Sequence, residues 1–460
     1  MSTQDRSFTR RRFIQASLGG SAALLGLPRF GSSEGAERPP NFVVIFVDDL
    51  GYGDVGCFGA PSIKTPRLDA MASEGVKFTD FYAAAPVCTP SRAALMTGCY
   101  PCRVSLPSVL HPNSNVGLNP DEITIAELLK TRGYATACIG KWHLGDLPAF
   151  LPTRHGFDYY YGIPYSNDMV RDGNKVPLMR DERVIERPVF QDDLTERYTQ
   201  EAINFITENK DRPFFVYLPH TFPHVPLHVT ERFKGKSKGG LYGDVVECLD
   251  WSTGEILDTL KTLGLDDNTL VVFTSDNGPW LQLREHGGSA GPLRNGKGTT
   301  WEGGMREPCI VRWPGRIPAG TMCSEMATTM DLYPTLAKLA GADMPTDRII
   351  DGKDIWPLIS GVDGAKTPHE AFFYYWKNEL HAVRSGRWKL VLDHKKPRTD
   401  IDVPPALYDL KSDIGEQNDL SARYPKLVSK LQELAERARA DLGDAVTGRP
   451  PTNQRPPGKA

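Results

Sequence analysis

At 460 residues the chain is too long for one small core and fits one large domain plus a smaller one. A hydrophobic fraction of 40% and a charged fraction of 24% are ordinary for a soluble globular protein. The formal net charge of −3, with no basic face or basic tail, argues against a nucleic-acid partner.

In chain order, the first segment stands apart from the fold. Thr9-Arg10-Arg11-Arg12-Phe13-Ile14-Gln15, followed by a weakly apolar stretch from Ala16 to Leu27, resembles a twin-arginine export signal over residues 1–36. The stretch is too short to span a bilayer comfortably. The expectation is a periplasmic or secreted protein without a stable membrane span, carried across already folded by the twin-arginine machinery. Phe42 to Val47 is then a continuous Val/Ile-rich run, as in a strand buried on both faces of a parallel sheet. Similar runs follow at Tyr134 to Ile139, Phe214 to Leu218 and Thr269 to Phe273. Helical patterns separate them: Ser91 to Thr97, Thr124 to Thr131 stopping at Gly133, and Val245 to Leu263 ending before Gly264.

This alternation predicts an α/β fold, a large mostly parallel central sheet flanked by helices, over a catalytic domain of residues 37–366. From about Thr367 the texture changes to short strand-like pieces, Ala371 to Trp376, His381 to Arg384 and Trp388 to Leu392, and a final amphipathic helix from Tyr424 to Leu442. These read as a smaller C-terminal antiparallel sheet plus helix over 367–448, with a loose Pro-rich tail at 449–460. Eight cysteines are too sparse for a disulfide scaffold, and Cys99-x-x-Cys102 has no second pair to complete a zinc site, so both read as structural.

Each of the four main runs ends in polar residues: Asp48-Asp49, then Lys141 and His143, then His220 and His224, then Asp276-Asn277. In open α/β sheets the ligand crevice lies outside the carboxyl ends of the strands, so four such sets define a candidate site. Asp48, Asp49, Asp276 and Asn277 are hard oxygen donors suited to Ca²⁺ or Mg²⁺ and poorly suited to soft metals. Singly, each residue has a plainer reading: Asp48-Asp49 as a helix cap, Arg92 as the partner of a carboxylate on its own helix, Lys141 as solvated, His224 as a surface loop residue.

The motifs change that balance. Cys88-Thr89-Pro90-Ser91-Arg92 has the Cys-x-Pro-x-Arg pattern. With it stand Val47-Asp48-Asp49-Leu50-Gly51-Tyr52-Gly53, Gly140-Lys141-Trp142-His143-Leu144-Gly145, Thr274-Ser275-Asp276-Asn277-Gly278 and Gly296-Lys297-Gly298-Thr299-Thr300-Trp301-Glu302-Gly303-Gly304. In order and spacing the chain resembles the type I, formylglycine-dependent sulfatases of the alkaline-phosphatase superfamily, on the arylsulfatase A and N-acetylgalactosamine-6-sulfatase branch.

The resemblance implies a sulfuric ester hydrolase acting on a sulfated carbohydrate or aryl sulfate. It implies that Cys88 is oxidised to formylglycine (3-oxoalanine) by a formylglycine-generating enzyme. The hydrated aldehyde carries two hydroxyls, one to attack sulfur and one to expel sulfate as the aldehyde reforms. It further implies calcium, rather than magnesium, on Asp48, Asp49, Asp276 and Asn277, with the modified Cys88 as a further ligand. Lys141 and Lys297 then bind sulfate oxygens, His143 hydrogen-bonds the hydrated aldehyde, His224 stands near the leaving-group oxygen as general acid, and Ser166 supports the pocket. Arg92, one turn into its helix, adds fixed charge beside a nucleophile at the helix N-terminus. His220, His228 and His286 are kept as neighbours that could touch substrate, and the loop from Met169 to Val189 is expected to build pocket wall. A phosphate or phosphonate ester hydrolase, and a sulfated-glycan binder in which Cys88 is never oxidised, are the two readings that residues alone leave open.

Overall fold

The computed structural model describes residues 38–170 and 175–460; the export segment lies outside them. The strand Asn41–Val47 is buried along its whole length and has parallel neighbours on both sides, Phe214–Pro219 (Phe42 opposite Phe215) and Thr269–Ser275 (Asn41 opposite Thr269). Ala135–Ile139 and Tyr159–Gly162 continue the parallel half outward. On the other side Arg306–Arg312 runs antiparallel to Thr269–Ser275 and leads to Val76–Tyr82 and Thr321–Cys323. The eleven-stranded sheet is therefore mixed, with its parallel strands at the centre.

The uniformly apolar strands are explained by two packed layers. Successive side chains of Asn41–Val47 point to opposite faces: Phe42, Val44 and Phe46 join one core, Val43, Ile45 and Val47 the other. The first core is covered by the helices Cys88–Thr97, Ile125–Lys130 and Leu332–Ala340, the second by Pro66–Ser73, Leu194–Glu208 and Gly240–Thr262. Local chemistry sets the helix limits. Thr124 and Glu127 form a reciprocal capping box, Thr124 Oγ1 accepting from the Glu127 N–H at 3.2 Å and Glu127 Oε2 from the Thr124 N–H at 2.7 Å. Gly98, in the left-handed region at φ 66°, stops the helix Cys88–Thr97.

A second sheet, four-stranded and antiparallel, comprises Phe372–Trp376, Glu379–Ser385, Trp388–Val391 and Ala406–Asp409, with the helix Pro425–Leu442 packed on it. Its core includes Tyr82, Ala94, Tyr100 and Met305 from the larger layer.

Two expectations need correction. The last residues are not a loose tail: Arg455 donates to Glu122 Oε1 at 2.6 Å and Oε2 at 2.9 Å, and Gly458–Lys459 pairs with Val116–Gly117. A buried-side salt bridge and a two-residue ladder hold what Pro content alone suggested was free. Part of the 169–189 segment is also regular, since Leu178–Arg180 and Arg183–Glu186 form an antiparallel hairpin at the sheet edge. All eight cysteines lie among the described residues and none is paired.

Candidate active site

The carboxyl ends of the central strands deliver a buried ion cluster. Asp48 and Asp49 follow Val47, Asp276 and Asn277 follow Ser275, and all four side chains are almost completely buried. One carboxylate oxygen each of Asp48, Asp49 and Asp276 lie within 4.8 Å of one another. Asn277 Nδ2 donates to Asp49 Oδ1 at 2.8 Å, and the Asp49 N–H donates to Asp276 Oδ1 at 3.2 Å.

Three cations close on these carboxylates. Arg92, one turn into the helix Cys88–Thr97, donates from Nε (3.1 Å) and Nη2 (2.8 Å) to Asp276 Oδ2 and lies 3.2 Å from Asp48 Oδ2. It also donates from Nη1 to the Lys141 carbonyl at 2.6 Å. The Lys141 ammonium pairs with Asp48 and donates to Ser166 Oγ at 3.1 Å. Lys297 Nζ sits 2.7 Å from a carboxylate oxygen of Asp49. Arg92 thus pairs across the fold with strand-end carboxylates, not with a carboxylate on its own helix, and Lys141 is not solvated.

The loop carrying Lys141 is shaped by backbone contacts. Gly140, at φ 135°, lies so close to the Pro219 carbonyl that no Cβ fits there. Lys141 N then donates to Pro219 O at 2.7 Å, Trp142 N to Ile163 O at 3.0 Å and His143 N to Pro164 O at 3.1 Å, which lays the loop across the ends of two strands. Asp49 (φ 65°) and His143 (φ 60°) are non-glycine residues in the left-handed region, and both belong to this site.

Above the cluster opens a cleft of about 440 Å³, lined by Cys88, His143, Ser166, His224 and Lys297 among others. Cys88 is the first residue of its helix, and the N-cap residue Val87 gives that helix no side-chain cap, so Cys88 sits at the positive end of the helix dipole. Atoms of Asp48, Cys88 and His224 lie within 4.8 Å of one another. Position 88 therefore stands beside the strand end that carries Asp48, forty residues away in the chain.

Burial governs the protonation states. It pushes the Cys88 thiol up to about 11, against the pull of Lys141 and Lys297, so an unmodified cysteine here is a neutral thiol. Burial also pushes Asp48 up, but Lys141, His224 and Arg92 more than offset it and hold its carboxyl far below the usual range. For Asp276 burial and the neighbouring Asp48 prevail over Arg92 and raise it to about 7. His224 is lowered to about 3 by burial and by Lys297 and Lys141. His143 is lowered well below the ordinary histidine range by burial, Lys141 and Arg92.

Hydrogen bonds assign both tautomers. A carbonyl only accepts, so His143 Nε2, 3.0 Å from Leu110 O, carries its proton, and Nδ1 is a buried acceptor without a partner among the described residues. By the same argument His224 donates Nδ1–H to the Val225 carbonyl at 2.6 Å and turns Nε2 toward Asp49 Oδ2, 3.7 Å away.

Donor chemistry fits a hard divalent cation. The three grouped carboxylates offer only oxygen, and among the described residues Asp48 Oδ1 and the neighbouring Asn277 Oδ1 are buried acceptors with no hydrogen-bond partner.

The family model described as Sulfatase matches residues 40–342, and one described as N-sulphoglucosamine sulphohydrolase, C-terminal, matches 296–441. The chain belongs to the sulfatase family. Human arylsulfatase A is 40% identical, over 89% of each chain. The dog N-acetylgalactosamine-6-sulfatase is 43% identical over 80% of this chain and 73% of its own. Among solved structures, Ps i-CgsB in complex with k-i-k-neocarrahexaose superposes with a TM-score of 0.77 at 34% identity, covering 87% of this chain and 92% of that one. PsFucS1 sulfatase from Pseudoalteromonas sp. gives 0.79 at 29%, covering 87% and 90%. This sulfatase has, among its described residues, no helix long and apolar enough to cross a membrane.

The neighbouring histidines behave otherwise than expected. His220 is buried against Ser252 (3.2 Å), His228 pairs with Asp192 (2.6 Å), and neither these nor His286 lines the cleft. Conversely, sequence reading missed Trp280, His111, Asp168, Lys396 and Arg398, all cleft-lining. Trp280 could have been found, since it lies two residues beyond the Asp276-Asn277-Gly278 motif; Lys396 and Arg398, about three hundred residues from Cys88, carry no local signal.

Proposed function

We propose that this sulfatase removes sulfate from sulfate monoesters of carbohydrates, with residue 88 as formylglycine and a calcium ion on Asp48, Asp49, Asp276 and Asn277. One observation carries the reading: the side chain of residue 88 stands at a helix N-terminus within 4.8 Å of Asp48 and His224 atoms. A thiol held up at about 11 is a poor nucleophile at neutral pH, which supports a modified side chain as the working group. The modification would supply a hydrated aldehyde as nucleophile, and the cation would supply Lewis-acid stabilisation of the sulfate oxygens.

The remaining work belongs to this chain's own side chains. Three carboxylates face three cations in the buried cluster, so a divalent cation there leaves a net positive site suited to an anionic ester. Lys141 and Lys297 are the two primary ammonium groups that would turn to sulfate oxygens. Ser166 holds Lys141, and Arg92 locks Asp48 and Asp276 together without entering the cleft. His143 Nδ1, neutral and unpartnered, is suited to take a proton from the hydroxyls on residue 88. His224 Nε2 would carry a proton only once the anionic substrate is in place, and then donate it to the departing oxygen.

Export through the twin-arginine route and maturation by a formylglycine-generating enzyme belong to the same reading. The test is direct: measure the intact mass of the peptide containing residue 88, then assay paired sulfate and phosphate esters of one alcohol before and after chelation. A lowered mass with calcium-restored, sulfate-selective turnover is the expected result. An unmodified cysteine, or full activity after complete chelation, overturns it.

A further inference from the structure

The cleft has a charged rim that a single scissile sulfate does not need. Besides the cluster below Cys88, it is lined by Lys396 and Arg398, both exposed, from the turn that joins His394–Lys395 to Asp402–Val403. Among the described residues neither side chain has an ion-pair partner, whereas the adjacent Lys395 pairs with Asp402. Among the described residues, Asp168 is the only acidic one lining the cleft. The outer cleft is therefore positive on balance.

This turn is held in place, and by the catalytic layer. His394 is buried and stacks on His381 with 3.7 Å between ring centres. His381 Nδ1 lies 3.2 Å from Thr300 Oγ1, three residues beyond Lys297. Within the turn, the Lys396 N–H donates to Ile401 O at 2.7 Å, and the Arg398 guanidinium lies 5.7 Å from the centre of the Trp376 ring. An Arg backed by an aromatic face keeps its N–H edge presented for bidentate pairing with a sulfate or carboxylate.

We propose that Lys396 and Arg398 form a subsite for a second anionic group, so that the preferred substrates are carbohydrates bearing another sulfate or a carboxylate besides the ester that is cleaved. The proposal rests on the sulfatase reading of the cleft floor. It separates this chain's substrates from aryl sulfates with a neutral leaving group.

The experiment compares kcat/KM of mass-verified, converted enzyme on three probes: a hexosamine monosulfate, the same hexosamine disulfate, and a disaccharide in which the monosulfated hexosamine adjoins a uronate. A preference of about tenfold for a doubly anionic probe is expected, as for two partly exposed charge pairs, and it should shrink as salt rises. The disulfate and uronate arms tell which anion the subsite takes. In the Lys396→Gln/Arg398→Gln variant the ratio should fall to near one, through KM. In parallel, the Ki of the disulfate against aryl sulfate hydrolysis should rise about tenfold in that variant, a readout that does not require the sugar to be turned over. A wild-type ratio near one with an unchanged Ki overturns the subsite, and so does a variant that keeps the full preference. Failure of the wild-type enzyme on the aryl sulfate as well removes the reading of the floor, which distinguishes the two.

Discussion

Two buried ion clusters in this molecule look alike in composition and differ in how completely the acid at the centre of each is satisfied. At the strand ends, Asp48, Asp49 and Asp276 face Arg92, Lys141 and Lys297, yet among the described residues Asp48 Oδ1 and Asn277 Oδ1 have no hydrogen-bond partner. At the seam with the smaller sheet, Glu302 accepts from Tyr82, from Tyr374 at 2.8 Å, from Lys389 at 3.1 Å and from Arg306 at 3.4 Å. Burial disfavours ionisation of both acids. For Glu302 the cations Lys389, Arg306 and Arg384 overcome it and hold the carboxyl at about 2, whereas for Asp276 burial and Asp48 prevail and raise it to about 7. The bonds to Glu302 fasten the motif loop that bears Lys297 to the second sheet; the strand-end cluster has acceptors left for a ligand.

The sharpest way to break this contrast is at residue 88. Cys88→Ala should lower turnover of any sulfate ester by roughly 10⁵-fold or more, as loss of a covalent nucleophile does. Its circular dichroism and thermal midpoint should stay near those of the parent, and substantial residual turnover would contradict the assignment.

Asp49→Ala should cost activity and cation together, with calcium affinity down by about 10- to 100-fold and added calcium restoring turnover only in part. Calorimetric titration of calcium checks it.

The seam should respond in stability instead of chemistry. Lys389→Met removes the ammonium that lies 3.1 Å from Glu302 and 2.8 Å from Glu416, leaving buried acids uncompensated. A loss of about 3–5 kcal/mol in denaturant unfolding is expected, with cation affinity retained. An effect on calcium binding larger than that on stability would merge the two regions.

The smallest effect concerns a group outside both clusters. His155 is buried against Trp142, neither ring nitrogen has a hydrogen-bond partner among the described residues, and burial lowers it to about 4. Because its folded value lies below the unfolded one, its contribution is complete above about pH 6.5 and is lost as pH falls toward 4. His155→Phe should flatten that part of the stability profile, by up to roughly 3 kcal/mol, while leaving neutral stability little changed. An identical acid limb in the variant would show that the imidazole titrates elsewhere.

Much of the site was legible because its residues follow apolar runs that could only be buried strands. Asp48-Asp49, Lys141 with His143, His224 and Asp276-Asn277 each come just after such a run, and a parallel sheet brings those ends to one edge. The histidines were harder. His220 and His224 lie four residues apart after one strand, yet only His224 lines the cleft, and nothing in their spacing distinguishes them. Glu302 stood inside a recognised motif and proved to be a structural anchor, since its partners Lys389 and Tyr374 come from the second sheet.

By itself the amino-acid sequence determined the alternation of strands and helices, the hard oxygen donors at the strand ends and the Cys-x-Pro-x-Arg pattern, because these depend on local periodicity and on residue chemistry. The tertiary structure alone decided which of these groups share a cluster, which tautomers they hold and which distant side chains rim the cleft. Those properties arise from burial and from contacts between residues hundreds of positions apart, and neither is written in any local stretch of chain.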